Sequence, residues 1–313
     1  MPAARLIALD WGTSSLRAYL LGEGGALIEE RRQPWGLLHL PQGGFAAALK
    51  GVAGDWLEAM PALLVIVSGM VGSAQGWREA PYAHCPAGAA ALAAQLLRFE
   101  ALPGVLLHIV PGVRLDGPRP DVMRGEETQA MGLLHMQPAL SGRATLVMPG
   151  THSKWVRVEG GRIVDFHTYM TGELFALLRE HSILGRPARE AGGVAASDEA
   201  FDRGVTAVRA AGAAGATAQL FSARALVLGG QLRAGDSLDY LSGLLVGEEL
   251  RCALSEAAGV EPVLVGDAAL CARYRRALAL FDRASQVAGA DAAAAGLWQI
   301  ALQAALYRGE SHA

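Results

Sequence analysis

Cysteine is scarce in this chain. Cys85, Cys252 and Cys271 are the only three, far apart and odd in number, and neither Cys-x-x-Cys nor His-Glu-x-x-His occurs. These absences exclude the usual structural zinc spacings and a disulfide framework, and they make a reducing cytosol the default compartment. No apolar stretch approaches the ~20 residues of a membrane-spanning helix. The first apolar run, Leu6 to Leu9, is too short for the hydrophobic region of a secretory signal and reads as a first strand. Net charge is −3 with no long basic run, so the electrostatic footprint of a nucleic-acid binder is missing. A G-x-x-x-x-G-K-S/T loop and a G-x-G-x-x-G fingerprint are missing as well, which sets aside two common Gly-rich phosphate-binding classes.

What the chain does have is apolar side chain in quantity. Of 313 residues, 52% are hydrophobic and 18% charged, enough for two ordinary domains with their own cores and too apolar for disorder. Much of that fraction is alanine, so the positive mean hydropathy does not point to a membrane.

One short phrase is written twice. Leu6-Ile7-Ala8-Leu9-Asp10 reads as a buried strand running into Trp11-Gly12-Thr13-Ser14-Ser15, and Thr145-Leu146-Val147-Met148 runs into Pro149-Gly150-Thr151-His152-Ser153-Lys154. Each Gly-Thr-x-Ser copy leads to a second strand that ends at a Gly-Gly turn, Gly24-Gly25 and Gly160-Gly161. Strand, tight turn of small polar residues and returning strand make a backbone cradle for phosphate. An ordinary hairpin turn explains one copy as well; the second copy favours the cradle and suggests a duplicated fold holding a nucleotide between its halves.

Strand-like and helix-like patterns alternate along the rest, which implies α/β layers, and the early hairpins make the sheets mixed. Helices are expected over residues 45–59, 87–99, 126–136, from 171, through most of 192–218, over 241–254, from about 269 and over 291–306. Strands are expected over 63–67, 105–110, 163–166 and 262–265. The turn-rich segment 137–143 divides the chain into expected domains 1–140 and 141–313.

Five groups carry candidate chemistry. Asp10 ends a buried strand, where an acid is costly unless paired or placed on a cation, and beside phosphates Mg²⁺ is the natural cation. Gly12 lets backbone approach a phosphate, and Thr13, Ser14 and Ser15 offer amides and hydroxyls. In the second copy Gly150, Thr151 and Ser153 do the same, and Lys154 can face phosphate or a substrate carboxylate; a solvated turn lysine is the plain alternative. His152 reads as a turn residue, because no orienting acid is evident. Arg124-Gly125-Glu126-Glu127 opens a helix. Two glutamates there suit the helix dipole, or one of them takes a proton from a substrate hydroxyl while Arg124 binds an anionic substrate group or the transferring phosphoryl. Ser68, Gly69 and Met70, with Trp77 nearby, leave a strand as ligand-crevice residues do, and Val265-Gly266-Asp267 is a later strand–helix junction that could pack on an adenine ring.

With these phrases assembled, the chain resembles the superfamily of sugar kinases, heat-shock chaperones and actin. The match is closer to 2-dehydro-3-deoxygalactonokinases, in Ala8 to Ala18, Gly69-Met70-Val71-Gly72-Ser73 with Gly76-Trp77, and Val122 to Gln129. It continues in Val147 to Val156, Met170-Thr171-Gly172-Glu173-Leu174 and Leu241 to Gly247. The resemblance implies an actin-like ATPase fold of two ribonuclease H-like domains, with mixed β-sheets flanked by helices and a nucleotide cleft between them. It implies ATP and Mg²⁺, and phosphorylation of the C6 hydroxyl of 2-dehydro-3-deoxy-D-galactonate. Glu127, then Glu126, is the expected base, with Asp10 the metal group. Gly12, Thr13, Ser14, Ser15, Gly150, Thr151, Ser153, Lys154 and Gly266 face the nucleotide. Arg124, Ser68, Gly69, Met70, Gly172 and Glu173 face the sugar acid.

One departure is Asp267, where a small or hydroxyl residue is expected. A kinase of the gluconate epimer and an exopolyphosphatase-like hydrolase are the alternatives within enzymes; a non-enzymatic ATP-dependent binding protein is the third reading. The sequence does not fix the oligomer, and a homodimer is the default expectation.

Overall fold

A continuous apolar strand, Leu6 to Leu9 without solvent exposure, centres the first unit, as expected of a strand covered on both faces. The computed structural model describes residues 4–192, 196–256, 259–289 and 292–306. The first unit holds the chain up to Arg143, Arg157–Phe166 and the segment from Gly289. It starts with β1 (Leu6–Trp11), β2 (Leu16–Leu21), β3 (Leu27–Gln33), α1 (Gly44–Ala59), β4 (Leu64–Gly69), β5 (Tyr82–His84) and α2 (Ala89–Ala93). β6 (Leu97–Leu102), β7 (Val105–Ile109), β8 (Gly112–Leu115), β9 (Asp121–Met123) and α3 (Glu126–Met136) follow. The main sheet has the order β3-β2-β1-β4-β7-β6, and β5-β8-β9 form a small one. β1 runs antiparallel to β2 and parallel to β4, which sets Asp10 opposite Arg17 on one side and beside Ser68 on the other. Leu49, Val52 and Trp56 of α1 close the core over Ile7, Leu9 and Trp11, each buried side chain contributing roughly 1.5–3 kcal/mol.

The expected helix over 87–99 is only partly formed. Ala89–Ala93 is helical, but Leu97–Leu102 pairs antiparallel with β7. Leu97, Phe99 and Ala101 alternate onto the core, and that burial overrides the helical preference of the alanines.

The second unit comprises Ala144–Val156 and His167–Ala288. The elements from Arg143 on are β10 (Arg143–Met148), β11 (Ser153–Glu159), β12 (Arg162–Tyr169), α4 (Thr171–His181), α5 (Arg186–Glu190) and α6 (Asp198–Ala211), of which Arg143 and the stretch Arg157–Phe166 count with the first unit. α7 (Ser222–Leu228), α8 (Ser237–Glu256), β13 (Pro262–Leu264), α9 (Ala268–Leu280) and β14 (Gln286–Val287) complete the second unit. The sheet order is β12-β11-β10-β13-β14, with β10 parallel to β13. The run β12-β11-β10-β13 repeats β3-β2-β1-β4, so the doubled phrase sits at the same place in two like sheets. Of the Ala-rich stretch 192–218, residues 193–195 lie outside the described residues; Ser197 caps α6 by accepting from the amide of Ala200.

Reading the sequence divides the chain once, after residue 140. The contacts divide it at Arg143/Ala144 and again after 156, 166 and 288. The last return follows from α10 (Ala292–Gln303), which lies on α3 with almost no space between backbones. A Cβ on Gly296 would stand 1.9 Å from the carbonyl oxygen of Thr128, and one on Gly132 1.8 Å from that of Ala292. Asp291, the expected start of this helix, lies outside the described residues. Among the described residues no helix is long and apolar enough to cross a membrane.

Candidate active site

The first Gly-Thr-x-Ser turn is braced from below. Gly12 N–H donates to Ser15 O across the turn at 3.0 Å. The indole N–H of fully buried Trp11 donates to Trp35 O at 2.7 Å, and Leu37 and Leu38 amides donate to Gly12 O and Thr13 O. Gly36 makes this approach feasible, since a Cβ there would lie 2.3 Å from Thr13 O. Thr13, Ser14 and Ser15 are exposed, as a phosphate cradle requires. Trp77 belongs to the core instead of the crevice. It stacks on Phe45 at 5.6 Å and meets Trp11 and Phe99 edge-on, forming an aromatic cluster.

Asp10 resolves its burial by pairing. Its Oδ2 accepts from Arg17 at 2.5 Å, while Oδ1 accepts no side-chain hydrogen bond among the described residues. Among the described residues no three His, Cys, Asp or Glu side chains converge as a metal cage. One carboxylate oxygen beside a phosphate turn nevertheless fits Mg²⁺, which keeps most of its waters and takes its remaining ligands from substrate phosphates.

The ends of β1 and β4 bring together several residues expected on the sugar acid. Ser68 stands in register with Asp10, Gly69 with Trp11, and a Cβ on Gly125 would lie 3.4 Å from Gly69 Cα. Gly125 has φ 111°, a conformation that favours glycine, and it launches α3. The two glutamates fold back on that start: Glu126 Oε2 accepts from Arg124 N at 3.1 Å, and Glu127 Oε2 from Gly125 N at 2.6 Å. Glu127 is fully buried and also accepts from Thr128 Oγ1, whereas Glu126 is half-buried. Burial, then the charge of Glu126, pushes the Glu127 carboxyl up to about 8. Met70 is half-buried in the turn after Gly69. Arg124 is 9% exposed; its Nη2 donates to Ala80 O at 2.8 Å and its head group stacks on Tyr82 at 4.3 Å. Its Nε and Nη1, and the hydroxyl of Ser68, are buried without a hydrogen-bond partner, an arrangement that costs about 1–3 kcal/mol per group.

In the second unit, the turn at Gly150 rests on the start of α4. A Cβ on Gly172 would lie 2.4 Å from Gly150 O, and Glu173 N donates to Thr151 O at 3.0 Å. Gly172 and Glu173, expected on the sugar acid, thus meet the second phosphate turn, while Arg124, Ser68 and Gly69 belong to the first unit. Two readings are corrected here. His152 does have an acid, because Glu173 Oε2 lies 2.5 Å from its Nε2. Ser153 does not present its side chain at the turn: it is fully buried and its hydroxyl donates to Glu249 at 2.7 Å.

Glu249 carries no sequence signal, yet it gathers Ser153, Trp155, Thr171 and Tyr274 around one buried carboxylate. Burial pushes this acid up, and the four donors pull it back. Lys154, one of two lysines in the chain, is 5% exposed and donates to Thr168 Oγ1 at 2.7 Å, so it is not a solvated turn lysine.

The adenosine-type junction explains its own departure. Asp267 caps α9, its carboxylate accepting from the amides of Ala269 and Leu270, each at 3.0 Å, the ordinary use of an acid at a helix start. Gly266, at φ 132°, is exposed, and a Cβ there would lie 3.9 Å from Pro149 O. The junction therefore flanks the turn at Gly150.

Two like sheets, each with a Gly-Thr-x-Ser turn, define the α/β fold of the actin-like ATPases and sugar kinases. Residues 10–300 match the family model of 2-keto-3-deoxy-galactonokinase. The chain is 41% identical over 305 residues to a Rhizobium meliloti (strain 1021) protein named a probable 2-dehydro-3-deoxygalactonokinase, covering 94% of this chain and 97% of that one. It is 37% identical over 303 residues to the 2-dehydro-3-deoxygalactonokinase of Escherichia coli (strain K12), covering 95% and 98%. A Sinorhizobium meliloti crystal structure described in the same terms as the Rhizobium protein superposes with TM-score 0.83 at 40% identity, covering 95% and 98%. The chain belongs to the 2-keto-3-deoxy-galactonokinase family.

Proposed function

We propose that the protein is a cytoplasmic kinase that transfers the γ-phosphoryl group of ATP to the C6 hydroxyl of 2-dehydro-3-deoxy-D-galactonate. The observation that supports the chemistry is the carboxylate pair at the start of α3, where Gly125 meets Gly69 at the end of β4. With Glu127 held up to about 8, it is mostly protonated at neutral pH, which favours the half-buried Glu126 at the same helix start as the proton acceptor. Glu126 thus takes the place of Glu127, the first expectation from sequence, as proton acceptor, and Glu127 is its buried neighbour at the start of α3. The substrate O6 gives its proton to Glu126 and attacks the γ-phosphorus, and the bond to the bridging oxygen breaks to leave ADP. The turns that begin at Gly12 and Gly150 offer backbone amides to the phosphates, with Gly266 at the adenosine end. Asp10 would hold Mg²⁺ through Oδ1, and the bound ion screens phosphate charge. Lys154, braced on Thr168, adds a fixed positive charge behind the second turn.

ADP release coupled to several 2-keto-3-deoxy acids tests this reading. Saturable turnover with the galactonate-derived acid is expected. Glu126→Gln should lower kcat by roughly 10²–10⁴ with little change in the KM for ATP. Phosphate release from ATP or polyphosphate without any acid, and no phosphorylated acid, would refute the kinase.

A further inference from the structure

We infer that Arg124 binds the carboxylate of the acceptor and thereby makes the enzyme choose sugar acids over neutral sugars; this rests on the kinase reading above. A guanidinium cannot shed its charge, and Arg124 is buried to nine-tenths with no carboxylate in ion-pair contact among the described residues. Among the described residues only Nη2 donates a hydrogen bond, to Ala80 O and more weakly to Pro81 O, while Nε and Nη1 have no acceptor. A buried cation without a counter-charge is a poor structural element, and it is well suited to receive an anion.

Two anions could meet it, the acceptor's carboxylate or the transferring phosphoryl, and position decides between them. The backbone amides of Arg124 and Gly125 hold the two glutamates, but the head group reaches elsewhere, onto Tyr82, Ala80 O and Gly72. A Cβ on Gly72 would stand 3.1 Å from Nη1, so glycine leaves the room in which that head group rests. In a six-carbon sugar acid the carboxylate lies at the far end of the chain from the C6 hydroxyl. A cation set apart from the proton acceptor matches that end, not the reacting one. Ser68, whose buried hydroxyl also lacks a partner, lies beside Asp10 in the same strand-end cluster and offers the acceptor a further hydrogen bond.

The test compares the acid with its methyl ester, by ATP-dependent turnover and by calorimetric titration without ATP. Wild type should prefer the acid by roughly tenfold to a hundredfold, the range of a charge-assisted hydrogen bond. In Arg124→Gln that preference should vanish through a raised KM for the acid, with the KM for ATP unchanged. Arg124→Lys, which keeps stem and charge but not the planar fork, should fall between, and carries the comparison if the glutamine variant does not fold. A preference that survives in the variants, or a uniform loss of kcat on acid and ester, overturns the assignment and leaves the kinase reading standing. Wild type that phosphorylates no keto-deoxy acid refutes that reading instead. The titration then decides Arg124 alone: equal acid binding by wild type and variant, or none by either, overturns it.

Discussion

Nε2 of His152 lies 2.5 Å from Oε2 of Glu173, tying the tip of the second phosphate turn to the first turn of α4. Both side chains are about half exposed, so the pair itself contributes only ~0–1 kcal/mol to stability. Its value lies in orientation, because a histidine held by a carboxylate can donate its other nitrogen to a phosphate. Glu173→Gln should therefore leave the melting temperature nearly unchanged and lower kcat/KM for ATP by roughly tenfold, the scale of one charge-assisted hydrogen bond. Steady-state kinetics at varied ATP check this; unchanged kinetics would reduce the pair to a surface contact.

Glu127 gives the protein a pH-dependent stability of definite sign. Burial pushes its carboxyl from 4.5 to about 8, so across that interval the native state keeps a proton that the unfolded chain has released. The contribution is complete below about pH 4.5 and is lost as pH rises to about 8, at a slope approaching about 1.4 kcal/mol per pH unit. Glu127→Gln, which mimics the neutral acid, should flatten that decline. Denaturant titrations of both proteins across this range would show it, and parallel curves would contradict it.

The carboxylate of Glu249 is the second unit's buried anchor. Removing it in Glu249→Ala strands up to four donors, at roughly 1–3 kcal/mol for each left without a partner, measured by urea unfolding. Because Ser153 and Thr171 flank the second phosphate turn and Tyr274 lies on α9, the KM for ATP should rise while the KM for the acid holds.

Gly296 sets the seat of α3. A methyl group there meets Thr128 O at 1.9 Å, so Gly296→Ala must part the two helices, at the roughly 1–3 kcal/mol typical of overpacking. As Thr128 follows Glu127 directly, kcat should fall more than stability suggests. Gly36→Ala should act likewise on the first phosphate turn, raising the KM for ATP.

The strands and turns were legible because each is a local pattern. Residues 6–10 and 145–148 are apolar runs closed by the same small polar phrase, and 126–136 begins with two acids and continues with helical spacing. What escaped was made by distance in the chain. Glu249 meets residues up to 96 positions away, Gly132 and Gly296 matter only because α10 returns to α3, and Glu173 finds His152 across 21 positions. The stretch 87–99 misled because alanine favours a helix locally, while pairing with β7 is a tertiary gain. Asp267, unusual beside a nucleotide by sequence, serves as the cap of α9.

Product analysis tests the central claim most directly. Incubation of the protein with ATP, Mg²⁺ and 2-dehydro-3-deoxy-D-galactonate, followed by phosphorus and carbon NMR, should show one equivalent of ADP per equivalent of acid phosphorylated at C6. Free phosphate in place of a phosphorylated acid, or phosphate on any other position, would contradict it.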